Sequence, residues 1–157
     1  MEILSTGLMS TNCNLEVLNL SHNRLTEKGC KMLTSALSSK SSRLTKLDLS
    51  YNDLRLRDSG VMALCSALTK LQCGLKTLRL SFCKVTVDGC VAMASALRSE
   101  HCGLRELDLK FNHLADKGVT LLTDIQRDAC CSLEKLNVDQ NEECWFDLKL
   151  LRQCKCY

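Results

Sequence analysis

The chain of 157 residues has room for one domain with a real core, and at 45% apolar but only 4% aromatic side chains that core must be aliphatic. Its net charge of +3 is the remainder of 21 basic against 18 acidic residues scattered along the sequence, a balance that gives no expectation of binding nucleic acid or an acidic membrane. No apolar run approaches the ~20 residues of a bilayer span, and the opening MEILSTGLMSTNC lacks a basic leader followed by a long apolar segment, so the cytoplasm is the expected compartment.

In chain order, the first recognisable stretch is ILSTGL at 3–8, which matches MLTSAL at 32–37. Leu8 stands seven residues before Leu15, as Leu37 stands before Leu44. Residues 1–14 are therefore expected to be the helical end of a preceding unit, and the chain to be a piece of something longer. Complete units open at Leu15, Leu44, Leu75, Leu104 and Leu133, with spacings of 29, 31, 29 and 29 residues. Each begins LxxLxL: Leu15-Leu18-Leu20, Leu44-Leu47-Leu49, Leu75-Leu78-Leu80, Leu104-Leu107-Leu109 and Leu133-Leu136-Val138. A glycine follows in four of them (Gly29, Gly60, Gly89, Gly118), and three close on Ala-Leu.

The second unit carries two extra residues between Leu54 and Gly60, a lengthened loop on one rim. The last unit departs from the pattern, with Glu143 where an aliphatic residue belongs. Residues 144–157 hold Trp145, Phe146, Leu148 and Leu151, and are expected to cap the final unit as a terminal helix. No such cover is visible at the other end, so self-association through the truncated N-terminal end is expected.

Two periods alternate within a unit. Leu47 and Leu49 alternate with Lys46, Asp48 and Ser50, which predicts a short strand with one buried face. Val61, Leu64, Ala67 and Leu68 recur at helical spacing. One strand and one helix per unit, repeated without reversal, predict an α/β solenoid curved like a horseshoe, its parallel sheet concave and its helices convex.

Asn23, Asn52, Cys83, Asn112 and Asn141 follow the strands at one fixed place. There the chain turns inside the stack, and a buried amide can satisfy backbone donors and acceptors from one site, so these residues predict a structural ladder with Cys83 its weakest rung. The twelve cysteines keep the same period: Cys13, Cys73, Cys102 and Cys131 stand two residues before an opening leucine, and Cys30 and Cys90 follow a repeat glycine. They read as small buried thiols in a reducing compartment; no CxxC or zinc-ligand spacing occurs, and no metal is expected.

The side chains facing the inner curve are the candidate contact surface. Stacking brings Tyr51, Phe82 and Phe111 into one row, with Asp48, Arg79, Asp108 and Lys110 beside it. Exposed rings among charges are the composition of a binding surface; the other reading is that the rings half-cover the leucines beneath. Arg79 between Asp48 and Asp108 also predicts a cross-strand charge pair. Chemistry is not visible: there is no phosphate loop, and His22, His101 and His113 stand apart from any nucleophile or carboxylate pair, so neither enzyme activity nor a cofactor is expected.

The pattern LxxLxLxxN/CxL…GxxxLxxAL resembles the ribonuclease-inhibitor class of leucine-rich repeat across residues 15 to 143. Within it, CGLKTLRLSFCKVTVDGCVAMASAL and LRELDLKFNHLADKGVTLL look like the repeats of NLR proteins, cytosolic innate immune receptors with a NACHT ATPase. The segment LEKLNVDQNEECWFDLKLLR is most similar to fish NLR proteins. The resemblance implies a non-catalytic ligand-sensing and autoregulatory region in inflammasome-type signalling. Its partners would be proteins, the receptor's own NACHT region among them, and nucleotide would bind elsewhere.

Two alternatives share the repeat. A Ran-type GTPase-activating protein would need a catalytic arginine on a rim loop and an acidic tail, whereas only Arg55 and Arg57 offer themselves and the tail is RQCKCY. A ribonuclease inhibitor would need a strongly acidic inner face, and this one is mixed.

Overall fold

Alternating leucines and a helical stripe recur from unit to unit, and the computed structural model, which describes residues 1–52 and 57–139, turns each recurrence into one strand and one helix. The order is α1 (Glu2–Leu8), β1 (Val17–Asn19), α2 (Glu27–Leu37), β2 (Lys46–Asp48), α3 (Arg57–Leu68), β3 (Thr77–Arg79), α4 (Val87–Leu97), β4 (Glu106–Asp108), α5 (Ala115–Gln126) and β5 (Lys135–Asn137). The strands form one parallel sheet in sequence order. Their register is unbroken: Leu18, Leu47, Leu78, Leu107 and Leu136 pair in turn, although the second and third units differ in length. This is the α/β solenoid that the periodicity predicts. Helices α2 to α5 pack each against the next, and α1 packs on α2.

The core lies between sheet and helices and is aliphatic, as the scarcity of rings demands. Leu49, Leu78, Leu80, Leu104, Leu107 and Leu109 are fully buried, as are the stripe residues Val61, Leu64, Ala67 and Leu68 of α3. Of the lengthened loop expected between Leu54 and Gly60, residues 55 and 56 lie outside the described residues, and Arg57, Asp58 and Ser59 already belong to α3. The fifth rung, Asn141, and the capping segment 144–157 also lie outside the described residues.

Helix starts are tied across units. Thr26 caps its own helix by accepting from the Gly29 amide at 3.3 Å. At α4 Thr86 likewise accepts from the Asp88 amide at 3.3 Å, and the neighbouring unit adds a second cap. Asp58 accepts from the amides of Thr86 at 2.9 Å and Gly89 at 3.0 Å, and from the Thr86 hydroxyl at 2.7 Å. Gly89 is required by that contact, since a Cβ there would stand 2.4 Å from the Asp58 carboxylate oxygen and 2.5 Å from Val85. Asp58→Ala is expected to lower stability by about 1–2 kcal/mol, the usual worth of a lost cap, while Asp58→Asn keeps part of it; urea unfolding of the two variants checks this.

The nine described cysteines are free thiols, and six of them are buried. Burial pushes the thiols of Cys30 and Cys65 up to about 12 and that of Cys90 to about 11, from an ordinary value of 9.0. Below about pH 9 folded and unfolded chains both keep these protons. Above it the unfolded chain releases protons that the native state holds, so stability falls as pH rises from about 9 to about 12. The urea midpoint should be unchanged between about pH 7 and 8 and lower at pH 10, and the Cys30→Ala/Cys65→Ala variant should show a shallower decline.

The candidate contact surface

Strands β1, β2 and β4 end on a residue with a short polar side chain that turns the chain out of the sheet, whereas β3 ends on Arg79. Asn19 accepts from the Ser21 amide at 2.8 Å, Asp48 from the Ser50 amide at 2.9 Å and Asp108 from the Lys110 amide at 3.0 Å. This is the local turn that asparagine and aspartate favour. Asp108 also accepts from the Ser81 hydroxyl at 2.7 Å.

The cross-strand pair expected between Arg79 and these two aspartates is therefore not what forms. The short carboxylates are held by nearby amides, and the longer guanidinium reaches diagonally to Glu106 at 3.5 Å. Glu106 is shared with Lys135 at 3.6 Å, and Lys110 pairs with Asp139 at 3.5 Å. Beside the Arg79–Glu106 pair lies a concavity of about 250 Å³, lined also by Val17, Leu18, Asn19, Lys46, Leu47, Asp48 and Thr77.

Immediately past the turn stand the rings. Tyr51 stacks on Phe82 with centroids 4.5 Å apart, and Phe82 on Phe111 at 4.4 Å. The structure thus brings the three expected rings into one row at the strand ends, with Phe82 and Phe111 half-buried and Tyr51 exposed. A fourth member extends it, since His22 stacks on Tyr51 at 4.1 Å. Its place was legible, because His22 holds the same repeat position, but an imidazole gives a weaker signal than a benzene ring.

All four ring residues have left-handed backbone, with φ of 60, 59, 55 and 56° for His22, Tyr51, Phe82 and Phe111. The turn imposes this conformation, in which glycine would be unstrained and any other residue costs about 1–2 kcal/mol. Stacking returns about 0.5–1.5 kcal/mol for each of the three pairs, which offsets only part of the cost of the four backbones.

Beneath the row lies the ladder. Asn52 accepts from the amides of Asn23 at 3.1 Å and Leu25 at 2.8 Å, and donates to the carbonyls of Leu20 at 2.9 Å and Leu49 at 2.8 Å. Asn112 repeats the arrangement with Cys83, Val85, Leu80 and Leu109. Asn23 is exposed and donates to Ser21 at 2.8 Å. Cys83, fully buried, donates its thiol to the Leu49 carbonyl at 3.2 Å. Among the described residues no group of three histidine, cysteine or acidic side chains is placed to hold a metal, and no helix is long and apolar enough to cross a membrane.

Comparison with known proteins places this geometry. A family model described as "Leucine Rich repeat" matches residues 11–33, 40–65, 73–94 and 101–122. The ribonuclease inhibitor of Sus scrofa is 39% identical over 80 residues, which are 51% of this chain and 17% of that protein. NACHT, LRR and PYD domains-containing protein 3 of Bos taurus is 46% identical over 79 residues, 50% of this chain and 7% of that protein. The chain thus spans a small part of the length of these relatives. Among solved structures, leiomodin-1 actin-binding site 2 superposes with a TM-score of 0.70 at 15% identity, covering 96% of this chain and 95% of that one.

Proposed function

This chain belongs to the leucine-rich-repeat family, and from that premise we propose that it is the ligand-sensing and autoregulatory region of a cytosolic NLR-type innate immune receptor. The role is non-catalytic. The inner face and the ring row contact proteins, the NACHT region of the same receptor among them, and release of that contact by a ligand shifts the receptor from a closed to an open arrangement in inflammasome-type signalling.

The observation that carries the reading is the row itself. Four rings stand in register on strained backbone, half-exposed beside charged side chains, in a protein with 4% aromatic residues. Stability alone gives no net return for that placement, whereas aromatic groups amid charge are what protein contacts use. Similarity to the bovine NACHT, LRR and PYD domains-containing protein 3 supports the choice of receptor class.

The test is titration of this chain against purified NACHT regions of NLR proteins by calorimetry. The Tyr51→Ala/Phe82→Ala/Phe111→Ala variant is expected to lose at least about tenfold in affinity while keeping its far-ultraviolet circular dichroism. Unchanged affinity would remove the row from the contact.

A second reading, a ribonuclease-inhibitor-like regulator, draws on the pig protein. The inner face sets Lys46, Arg79, Lys110 and Lys135 against Asp48, Glu106, Asp108 and Asp139, so it lacks the strong acidity that binding basic ribonucleases calls for, which counts against this reading.

A further inference from the structure

The near-neutral charge of the whole chain conceals a segregation. Between Lys28 and Arg98 twelve basic residues stand against four acidic ones. Among the described acids of that stretch, Asp48 turns its own strand, Asp58 caps α4, and Asp88 lies in the first turn of α4 at the opposite rim. The rim where helices end and strands begin is therefore left basic at the junctions leading into the second and third units, at Lys40, Arg43, Lys46, Lys70 and Lys76. All five are exposed, and none pairs with an acid among the described residues.

The fold places these five together. Lys46 opens β2 and Lys76 stands just before β3, its amide bonding to the Thr45 carbonyl at 2.7 Å. Lys40 and Lys70 lie in equivalent turns, Ser42 to Ser39 and Cys73 to Lys70. Neighbouring units are ~5 Å apart, so the charges crowd. The carbonyl ends of α2 and α3 face the same rim and offset about half a charge each, which leaves most of the excess.

In the fourth and fifth units the equivalent rim is self-neutralised. Arg105 pairs with Glu134, and Glu106 with Lys135. The contrast gives the basic stretch a boundary.

We propose that this rim binds an acidic protein segment in which carboxylates flank an apolar side chain. The apolar side chain would rest on Val17, 57% exposed in the neighbouring concavity whose wall includes Lys46 and whose lining is otherwise mostly polar, with Asn19, Asp48, Thr77, Arg79 and Glu106. Nucleic acid fits less well, because the row of stacked rings lies at the opposite ends of the strands from the cations, out of reach of a base whose phosphate they would hold. The proposal rests on the reading of the chain as a protein-binding module but uses a surface other than the rings.

The experiment follows fluorescence anisotropy of a labelled short peptide in which glutamates flank a central leucine, at low and at physiological ionic strength. Binding is expected to weaken with salt and to fall about tenfold or more in Lys40→Glu/Lys46→Glu/Lys76→Glu, with a smaller loss in the corresponding glutamine variant, which guards against misfolding of the first. A control reversal elsewhere, Lys28→Glu/Lys117→Glu/Arg127→Glu, should change affinity by no more than about twofold, and the triple ring-to-alanine variant should bind normally. Equal weakening by both reversals would reduce the effect to net charge and overturn the proposal. Tighter binding of a single-stranded oligonucleotide or of phosphatidylserine vesicles, with displacement of the peptide, would overturn it too.

Discussion

Replacing Asn112 by alanine is expected to lower the free energy of unfolding by about 3–5 kcal/mol, a large part of the stability of a domain this size. The side chain is 2% exposed and binds two units to one another. Its oxygen accepts from the amides of Cys83 and Val85, both at 3.0 Å, and its nitrogen donates to the carbonyls of Leu80 at 2.8 Å and Leu109 at 2.9 Å. Alanine removes the partner and leaves the four backbone groups in place, each at a cost of about 1–3 kcal/mol unless water enters the cavity. Asn112→Asp should be no better, since a carboxylate would face carbonyls where the amide donates. Cys83→Ala, which removes one weak thiol donor, should cost about 1 kcal/mol. Urea unfolding with a shared m-value measures all three. If Asn112→Ala proves no worse than Cys83→Ala, the ladder does not hold the units together.

The difference between these rungs explains what could be read in advance. Period and spacing predict the architecture because every unit must bury the same faces against its neighbours, and a stack has only one register for that. Asn52 and Asn112 follow from the same logic, as a turn buried in a stack needs a group that both donates and accepts. The charged surface does not follow. Asp48, Arg79 and Asp108 share a column, and adjacency suggests a pair, yet the aspartates are taken by amides two residues on in their own chain. Reach decides it: a short side chain closes a local turn, and a long one crosses to Glu106 at 3.5 Å. Asp58 escapes the sequence for another reason. Its role depends on the start of a helix 28 residues further on, which only the stacked structure brings to it. The basic rim was hidden by totalling charge over the whole chain, which averages the basic stretch from Lys28 to Arg98 with the acids on either side of it.

Leu80 and Phe82 stand two residues apart and should respond in opposite ways. Leu80 is 0% exposed, at the centre of the sheet's inner layer, and alanine there opens a cavity worth about 2–5 kcal/mol that closely packed neighbours cannot fill. Phe82 lies past the turn, half-buried, with Tyr51 on one side and Phe111 on the other. Its removal forfeits two stacking contacts of about 0.5–1.5 kcal/mol each, and Phe82→Gly recovers part of that by relieving the left-handed backbone, so the glycine variant should lie within about 1 kcal/mol of the natural protein. Partner binding should reverse the ranking, with Phe82→Gly impairing it and Leu80→Ala leaving it intact in the fraction of molecules that remain folded. Thermal unfolding beside the NACHT titration separates the two effects. If Phe82→Gly costs as much stability as Leu80→Ala, the rings belong to the core, and the contact surface must be sought at the rims instead.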